Sequence, residues 1–377
     1  MTDTPQGFSP DWVSPPGESI ADLLEEHGWT QAELAERLGY TAKHLNQLIK
    51  GKVPLSEDAA LRLERVLGGS AGFWLIRESR YRERLARLDA QAHLAQWTDW
   101  LDELPVKALM NSGAIPKRRV DAKARPALVE ALLHFFGVAS PTDWRGRYGG
   151  MQVSYRRSRV DQSDIGAISA WLRMGERLAE REQPTKYDRQ RFLAAIPEIR
   201  ALATQPPESF ESALRRLFSD CGVTFVLVPA IPGAHVSGVA RWLNANRPMI
   251  QLSLYGKSND RFWFTLFHEA AHLVLHAKEK KAVFLDDPDH ANMESEQERE
   301  ANVWAADVLI PAAHRNALPA LQTKESVRVF ATQLGIHPGI VVGRLQHEHM
   351  IPPDWMNDLK VRFAFCKEPQ APESGAQ

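Results

Sequence analysis

The chain has little of what would place it outside a cell or across a membrane. Its 377 residues include only two cysteines, Cys221 and Cys366, without CxxC spacing. Such a pair offers neither a disulfide framework nor a thiolate metal cluster, and it suits a reducing compartment. No apolar run reaches the length of a membrane span and nothing at the start resembles a signal peptide, so a cytoplasmic protein with no membrane partner is expected. An excess of charge of one sign is also missing: 46 Lys and Arg stand against 47 Asp and Glu, a net charge of −1. That balance excludes a nonspecific polyanion binder but leaves room for a local basic patch. No convincing internal repeat is present, and the length accommodates two or three domains.

What is present is chemically specific. His268-Glu269-Ala270-Ala271-His272 lies inside an apolar, helix-forming run from Phe262 to Leu275. Residues four apart share a helix face, so the two imidazoles can meet at one point. Neutral imidazoles are good zinc ligands, and Glu269 is placed to act as a general base on water. His276 continues the spacing, but it rises about 12 Å along the axis from His268, too far to join the same first shell. A supporting or substrate-facing role is left open for it.

A catalytic zinc takes three protein ligands, so a third is needed. Residues 294–311 predict a second helix, acidic early, amphipathic later and ended by Pro311. Glu298 lies one turn before Ala301 on the stripe formed by Ala301, Trp304, Ala305 and Val308, and so faces the histidine helix. Asn302 shares that face and can hydrogen-bond a liganding histidine. Glu300 points about 200° away from Glu298; together with Glu294 and Glu296 it is expected on a solvated acidic face. His235, Arg241, Tyr255 and His290 are the candidates for an oxyanion stabiliser; the sequence selects none of them, and each reads more readily as a structural or surface residue.

These motifs together resemble the ImmA/IrrE family of zinc metallopeptidases: His268-Glu269-x-x-His272, then Glu298-x-x-Ala301-Asn302-x-Trp304-Ala305 and Leu309-Ile310-Pro311. The segments from Ser237 to Trp242, Pro248 to Ser253 and Asp260 to Leu266 are similar to that family as well. Trp304 stands where the family usually has Phe. The resemblance, over roughly residues 205 to 350, implies a gluzincin-like peptidase with one Zn2+ per chain. It also implies a protein substrate: a repressor or other regulatory protein, the chain itself included. Three strands are expected ahead of the histidine helix, at Thr224–Val228, His235–Trp242 and Met249–Ser253. An edge strand there offers a place for an extended peptide.

The N-terminal part follows another pattern. Apolar positions step at helical spacing from Ile20 to Leu67. Thr30 is placed to cap a helix over Gln31–Leu38, Gly39 to end it in the left-handed conformation, and Thr41 to cap the next. Two short helices joined so tightly predict a helix-turn-helix. Gly28 to Gly39 resembles the Cro/repressor (XRE) family, and Asn46 to Ala60 is similar to the HigA antitoxins. The resemblance implies operator DNA as partner, with Lys43, His44 and Gln47 toward bases, Gln31, Asn46, Lys50 and Lys52 toward phosphates, and Thr41 at the start of the recognition helix. Thr41 to Lys52 holds three lysines and no acid, and Arg77, Arg80, Arg82, Arg84 and Arg87 extend the basic bias.

Between the ends, helices are expected at Pro126–Phe136, Ile168–Arg181 and Tyr187–Ala203, with breaks at Pro141, Gly149-Gly150 and Pro206-Pro207. Basic clusters at Lys117-Arg118-Arg119 and around Arg156, Arg157 and Arg159 are taken as solvated faces. Trp171-Leu172-Arg173-x-Gly175-Glu176 also recurs in ImmA/IrrE proteins with a HigA-like front end. The helix-glycine-helix rhythm of Val329 to Leu345 is expected to serve packing rather than a second DNA reader.

The expected architecture is α+β and mostly helical. Residues 1–15 form a tail, 16–85 a five-helix-type DNA-binding bundle and 86–205 a helical linker region. Residues 206–365 form a zincin-like domain with a small antiparallel sheet and two metal-ligand helices, and 366–377 a second tail. The expected function is a DNA-binding regulator with a zinc endopeptidase, homodimeric through its N-terminal region and with room for a toxin partner. The alternative is a transcriptional repressor or antitoxin whose peptidase-like domain is a sensor or scaffold without proteolytic activity.

Overall fold

The computed structural model describes residues 14–156, 165–254, 257–276, 284–286 and 296–365. Arg157, Arg159, Tyr255, His290, Glu294 and Cys366 lie outside the described residues, as do most of both expected tails. The chain divides into two compact units, Met1–Thr98 and Asp99–Gln377.

Among the described residues, the first unit is five helices: α1 (Pro16–His27), α2 (Gln31–Leu38), α3 (Ala42–Ile49), α4 (Glu57–Leu67) and α5 (Ala71–Gln96). Side-chain caps define the starts of α2 to α5. Thr30 Oγ1 accepts from Glu33 N at 3.2 Å, Thr41 Oγ1 from His44 N at 3.1 Å and Ser56 Oγ from Ala59 N at 3.2 Å. Each such cap is worth about 1 kcal/mol. Gly39 closes α2 at φ 71°, a left-handed turn that a side chain would strain. Ile20, Leu34, Leu45, Leu63 and Trp74 are buried between the helices, each apolar side chain contributing about 1.5–3 kcal/mol.

The expected boundaries at 85 and 205 give way to a different division. α5 continues without a break to Gln96, because nothing in its second half competes with helix. Residues 99–205 belong to the second unit. Its first helices are α6 (Val106–Asn111), α7 (Arg125–Phe136), α8 (Pro141–Arg156), α9 (Ile165–Ala179), α10 (Arg189–Ala201) and α11 (Pro207–Asp220). Pro141 and Pro207 open helices, where a missing N–H costs nothing. The expected break at Gly149-Gly150 is absent, since α8 runs through both glycines. Two glycines cost such a helix only about 2 kcal/mol relative to alanine.

The strands β1 (Thr224–Leu227), β2 (Gly238–Asn244), β3 (Arg247–Leu252) and β4 (Phe284–Asp286) form a sheet in the order β1-β3-β2-β4. The sheet is mixed rather than purely antiparallel. β2 pairs antiparallel with β3 and β4, but β1 runs parallel to β3, Phe225 opposite Ile250. Strand patterning does not specify neighbours: inserting β3 between β1 and its hairpin partner β2 makes the first and third strands run the same way.

The helix α12 (Asn259–Leu275) lies on this sheet, with α13 (Glu296–Leu309) and α15 (Pro338–His347) along its other sides. It is buried almost all round, as a helix apolar on every face must be. Its last carbonyls are met by α10 and the residues before it: Tyr187 OH donates to Leu273 O at 3.2 Å and Arg189 Nε to Val274 O at 2.9 Å. Burial pushes the Tyr187 phenol up to about 12. α14 (Lys324–Leu334) and α15 form the helix-glycine-helix of the C-terminal part, where Ile340, Val341, Val342 and Leu345 are buried. That burial makes the pair a packing element.

The middle helices are fastened to the sheet by buried polar bonds. Trp171 Nε1 donates to Val228 O at 3.1 Å, and Gln251 Nε2 to Trp171 O at 2.7 Å. Arg241 on β2 donates to Glu176 Oε1 at 2.8 Å and to Leu172 O at 2.7 Å.

Candidate metal centre and nucleic-acid interface

On α12 the two motif histidines point the same way, with their Nε2 atoms 3.1 Å apart. Glu298 on α13 reaches both: Oε2 is 3.0 Å from His268 Nε2 and Oε1 is 3.5 Å from His272 Nε2. One ligand atom from each of the three residues lies within 4.8 Å of the others, a group able to hold a metal ion. Two ligand nitrogens on a tetrahedral zinc stand about 3.3 Å apart, given bonds of about 2.0 Å, so both spacing and donor set fit. Burial is the largest influence on Glu298 and would raise its pKa. Hydrogen bonds from His268 and His272 outweigh it and hold the carboxyl well below its usual range. Burial pushes His272 down from the ordinary histidine value, which favours the neutral imidazole a metal requires.

The groups around this trio are ordered. Asn302 Oδ1 lies 2.9 Å from His268 Nδ1. Glu269, fully buried, lies against β2, where a Cβ built on Gly238 would come within 2.8 Å of Glu269 Oε1. The absence of a side chain at position 238 is what lets this carboxylate approach the sheet.

One residue departs from expectation. Glu300 is not simply solvated: its Oε2 is 3.0 Å from His276 Nε2, and His276 Nδ1 is 3.1 Å from His272 Nδ1. The rotation that turns Glu300 away from the metal-facing carboxylate leaves it beside the last turn of α12, where His276 ends the helix. Its place in the sequence, two residues before Asn302, carried no signal for this contact. Arg241, an oxyanion candidate, is instead tied up in its buried ion pair with Glu176. His235 is partly buried in a left-handed conformation at φ 45°.

In the first unit the predicted DNA-facing residues lie on α2, on α3 or directly beside α3, and none is buried. Gln31, Lys43, Lys50 and Lys52 are exposed; His44, Asn46 and Gln47 are half-buried. Thr41 is exposed with its hydroxyl engaged as the α3 cap. His44 meets Tyr40 edge-on at 4.8 Å between ring centroids. The basic run on α5 is partly neutralised within the helix by the pairs Arg82–Glu78 and Arg87–Glu83.

Residues 20–74 match the model of a helix-turn-helix family, and residues 222–346 match that of the IrrE N-terminal-like domain. Over 78 residues the chain is 31% identical to Virulence-associated protein I of Dichelobacter nodosus, a stretch covering 20% of this chain and 72% of that protein. No solved structure matches the chain. Among the described residues, no helix is long and apolar enough to cross a membrane. With a helix-turn-helix model matched at one end and the His268, His272 and Glu298 group inside the matched domain at the other, the chain carries an XRE-type helix-turn-helix domain at its N-terminus and an ImmA/IrrE-like, peptidase-type domain in its C-terminal part.

Proposed function

We propose that the chain is a DNA-bound regulator with a zinc-dependent endopeptidase, acting on a repressor or another regulatory protein, its own chain included. The observation that carries the reading is the meeting of His268, His272 and Glu298 beside the buried Glu269. His268, His272 and Glu298 would hold one zinc, which when bound supplies Lewis-acid polarisation and a more acidic water. Glu269 then accepts the proton of the attacking water and delivers it to the departing amine nitrogen. Asn302 fixes the ring of His268 through Nδ1. Joining a DNA reader to a peptidase raises the effective concentration of the peptidase at one operator.

Metal content tests this directly. Protein purified without added zinc is expected to carry about one zinc per chain, and Glu298→Ala clearly less. A wild type that neither carries zinc nor takes it up from excess would sink the peptidase reading.

The DNA reading has its own test. Sequences selected from a random pool by the protein are titrated against salt. Gln47→Ala is expected to cost about 1–3 kcal/mol and to relax preference at one base position. Lys50→Ala is expected to weaken all sequences alike and to lower the salt slope by about one. If both variants bind with wild-type affinity and slope, α3 is not the reading helix.

A further inference from the structure

Around the ion pair of Arg241 and Glu176, positive charge and hydrogen-bond donors are in surplus. Three guanidinium groups converge on the Glu176 carboxylate: Arg241 from β2 at 2.8 Å, Arg173 from α9 at 2.8 Å and Arg147 from α8 at 3.5 Å. Arg173 also meets Glu180 at 2.7 Å. Within this group three cations face two carboxylates.

The donors show the same imbalance. Arg241 Nε and the Tyr148 hydroxyl are buried, and neither finds an acceptor. The charges of Glu176, Arg147 and Arg241 all act on that hydroxyl. Beside Tyr148 the rings of Trp144 and Trp100 follow, with centroids 6.1 Å and then 5.7 Å apart, and their buried indole N–H groups lack acceptors as well. Native interiors leave few such groups unmet, because an orphaned donor loses its water and gains nothing.

We propose that this cluster is a binding site for a small oxyanion, a carboxylate or phosphate group held by Arg147 and the Tyr148 hydroxyl beside Arg241. Water alone does not correct the imbalance, since it brings as many hydrogens as lone pairs and no charge. An oxyanion brings acceptors only and supplies the missing negative charge. Burial is the largest influence on the Tyr148 phenol and pushes it up, so it keeps its hydrogen to donate at neutral pH. Arg173 and Arg241 are anchored through the carbonyls of Phe135 and Leu172, which makes their charge a fixed part of the site. Arg147 is different. Its guanidinium lies over the Tyr148 ring at 5.7 Å, and its side chain is 57% exposed, so it can swing aside to admit an anion and close on it. Glu176 and Glu180 oppose the ligand, and one surplus charge suits a single oxyanion group rather than a polyanion such as nucleic acid.

The test titrates the full chain with inorganic phosphate and, separately, with sodium acetate, against sodium chloride at matched ionic strength. The preferred anion is expected to raise Tm by about 2–4 °C at several times its dissociation constant, and chloride to give no such rise. Preference for phosphate marks a phosphorylated ligand, and preference for acetate a carboxylic acid. Arg147→Ala is expected to weaken the preferred anion about 10–100-fold and Tyr148→Phe about 3–10-fold. The first change is at an exposed side chain and the second removes one oxygen, so circular dichroism should show both variants folded. If neither anion stabilises the wild type beyond chloride, water meets these donors and the proposal falls. It falls equally if both variants bind the anion as the wild type does, since the anion then sits on another basic surface.

Discussion

Glu269→Gln is expected to slow cleavage of whichever protein the wild type cuts, its own chain included, by about 10²–10⁴-fold. Zinc content and DNA affinity are expected to stay at wild-type values. Glutamine keeps the shape of the side chain and loses only the ability to take a proton, which isolates the chemical step from packing. Shape matters at this position because Glu269 is fully buried and shares a slot with Gly238, Thr265 and Leu252. Glu269 belongs to the turn that presents His268, yet it is not one of the three grouped ligands, so its loss leaves the donor set complete. The comparison is made by mass spectrometry of the products together with metal analysis of the same samples. Cleavage at the wild-type rate would assign the base to another group. A variant that loses zinc as well would place Glu269 in the support of the metal site rather than in proton transfer.

The local parts of this molecule were legible in its sequence, and the long-range parts were not. Spacing of four on one helix is enough to bring His268 beside His272, and 100° per residue is enough to choose Glu298 over Glu300 as the residue facing them. The caps at Thr30 and Thr41 and the turn at Gly39 follow from side-chain and backbone chemistry within a few residues. The parallel pairing of β1 with β3 depends on which strand inserts between two others, and no single strand carries that information. The contact of Glu300 with His276 depends on where two helices cross. Arg241 could not be read as an ion-pair residue because its partner lies 65 positions earlier, in a segment that looked like a linker.

That ion pair carries the largest expected effect on stability. Arg241→Ala is expected to destabilise the second unit by about 3–5 kcal/mol, because it leaves Glu176 buried with less of its compensating charge. Both side chains are nearly inaccessible, at 6% and 9% exposure, so solvent screening does little to soften the loss. Burial is the largest influence on each: it pulls the Arg241 guanidinium below its usual range, and for Glu176 it would raise the carboxyl. The attraction of Arg241 and the hydrogen bond from Arg173 at 2.8 Å reverse that and hold Glu176 below its ordinary value. A carboxylate lowered on folding contributes stability above its unfolded pKa and loses it as pH falls through the folded one. The gap between wild type and Arg241→Ala should therefore be full at neutral pH and narrow in acid. Replacing both partners, Arg241→Met with Glu176→Leu, is expected to recover much of the loss, since no charge is left buried without its partner; Arg173 then keeps Glu180 and the carbonyl of Phe135. Thermal melts of the three variants at two pH values provide the check, with a fall of about 10 °C expected for the single variant. The consequence reaches the site because Arg241 sits on β2, the strand whose Gly238 receives Glu269. An Arg241→Ala protein that melts with the wild type would mean that the bonds of Trp171, Gln251 and Arg247 hold α9 to the sheet without the ion pair.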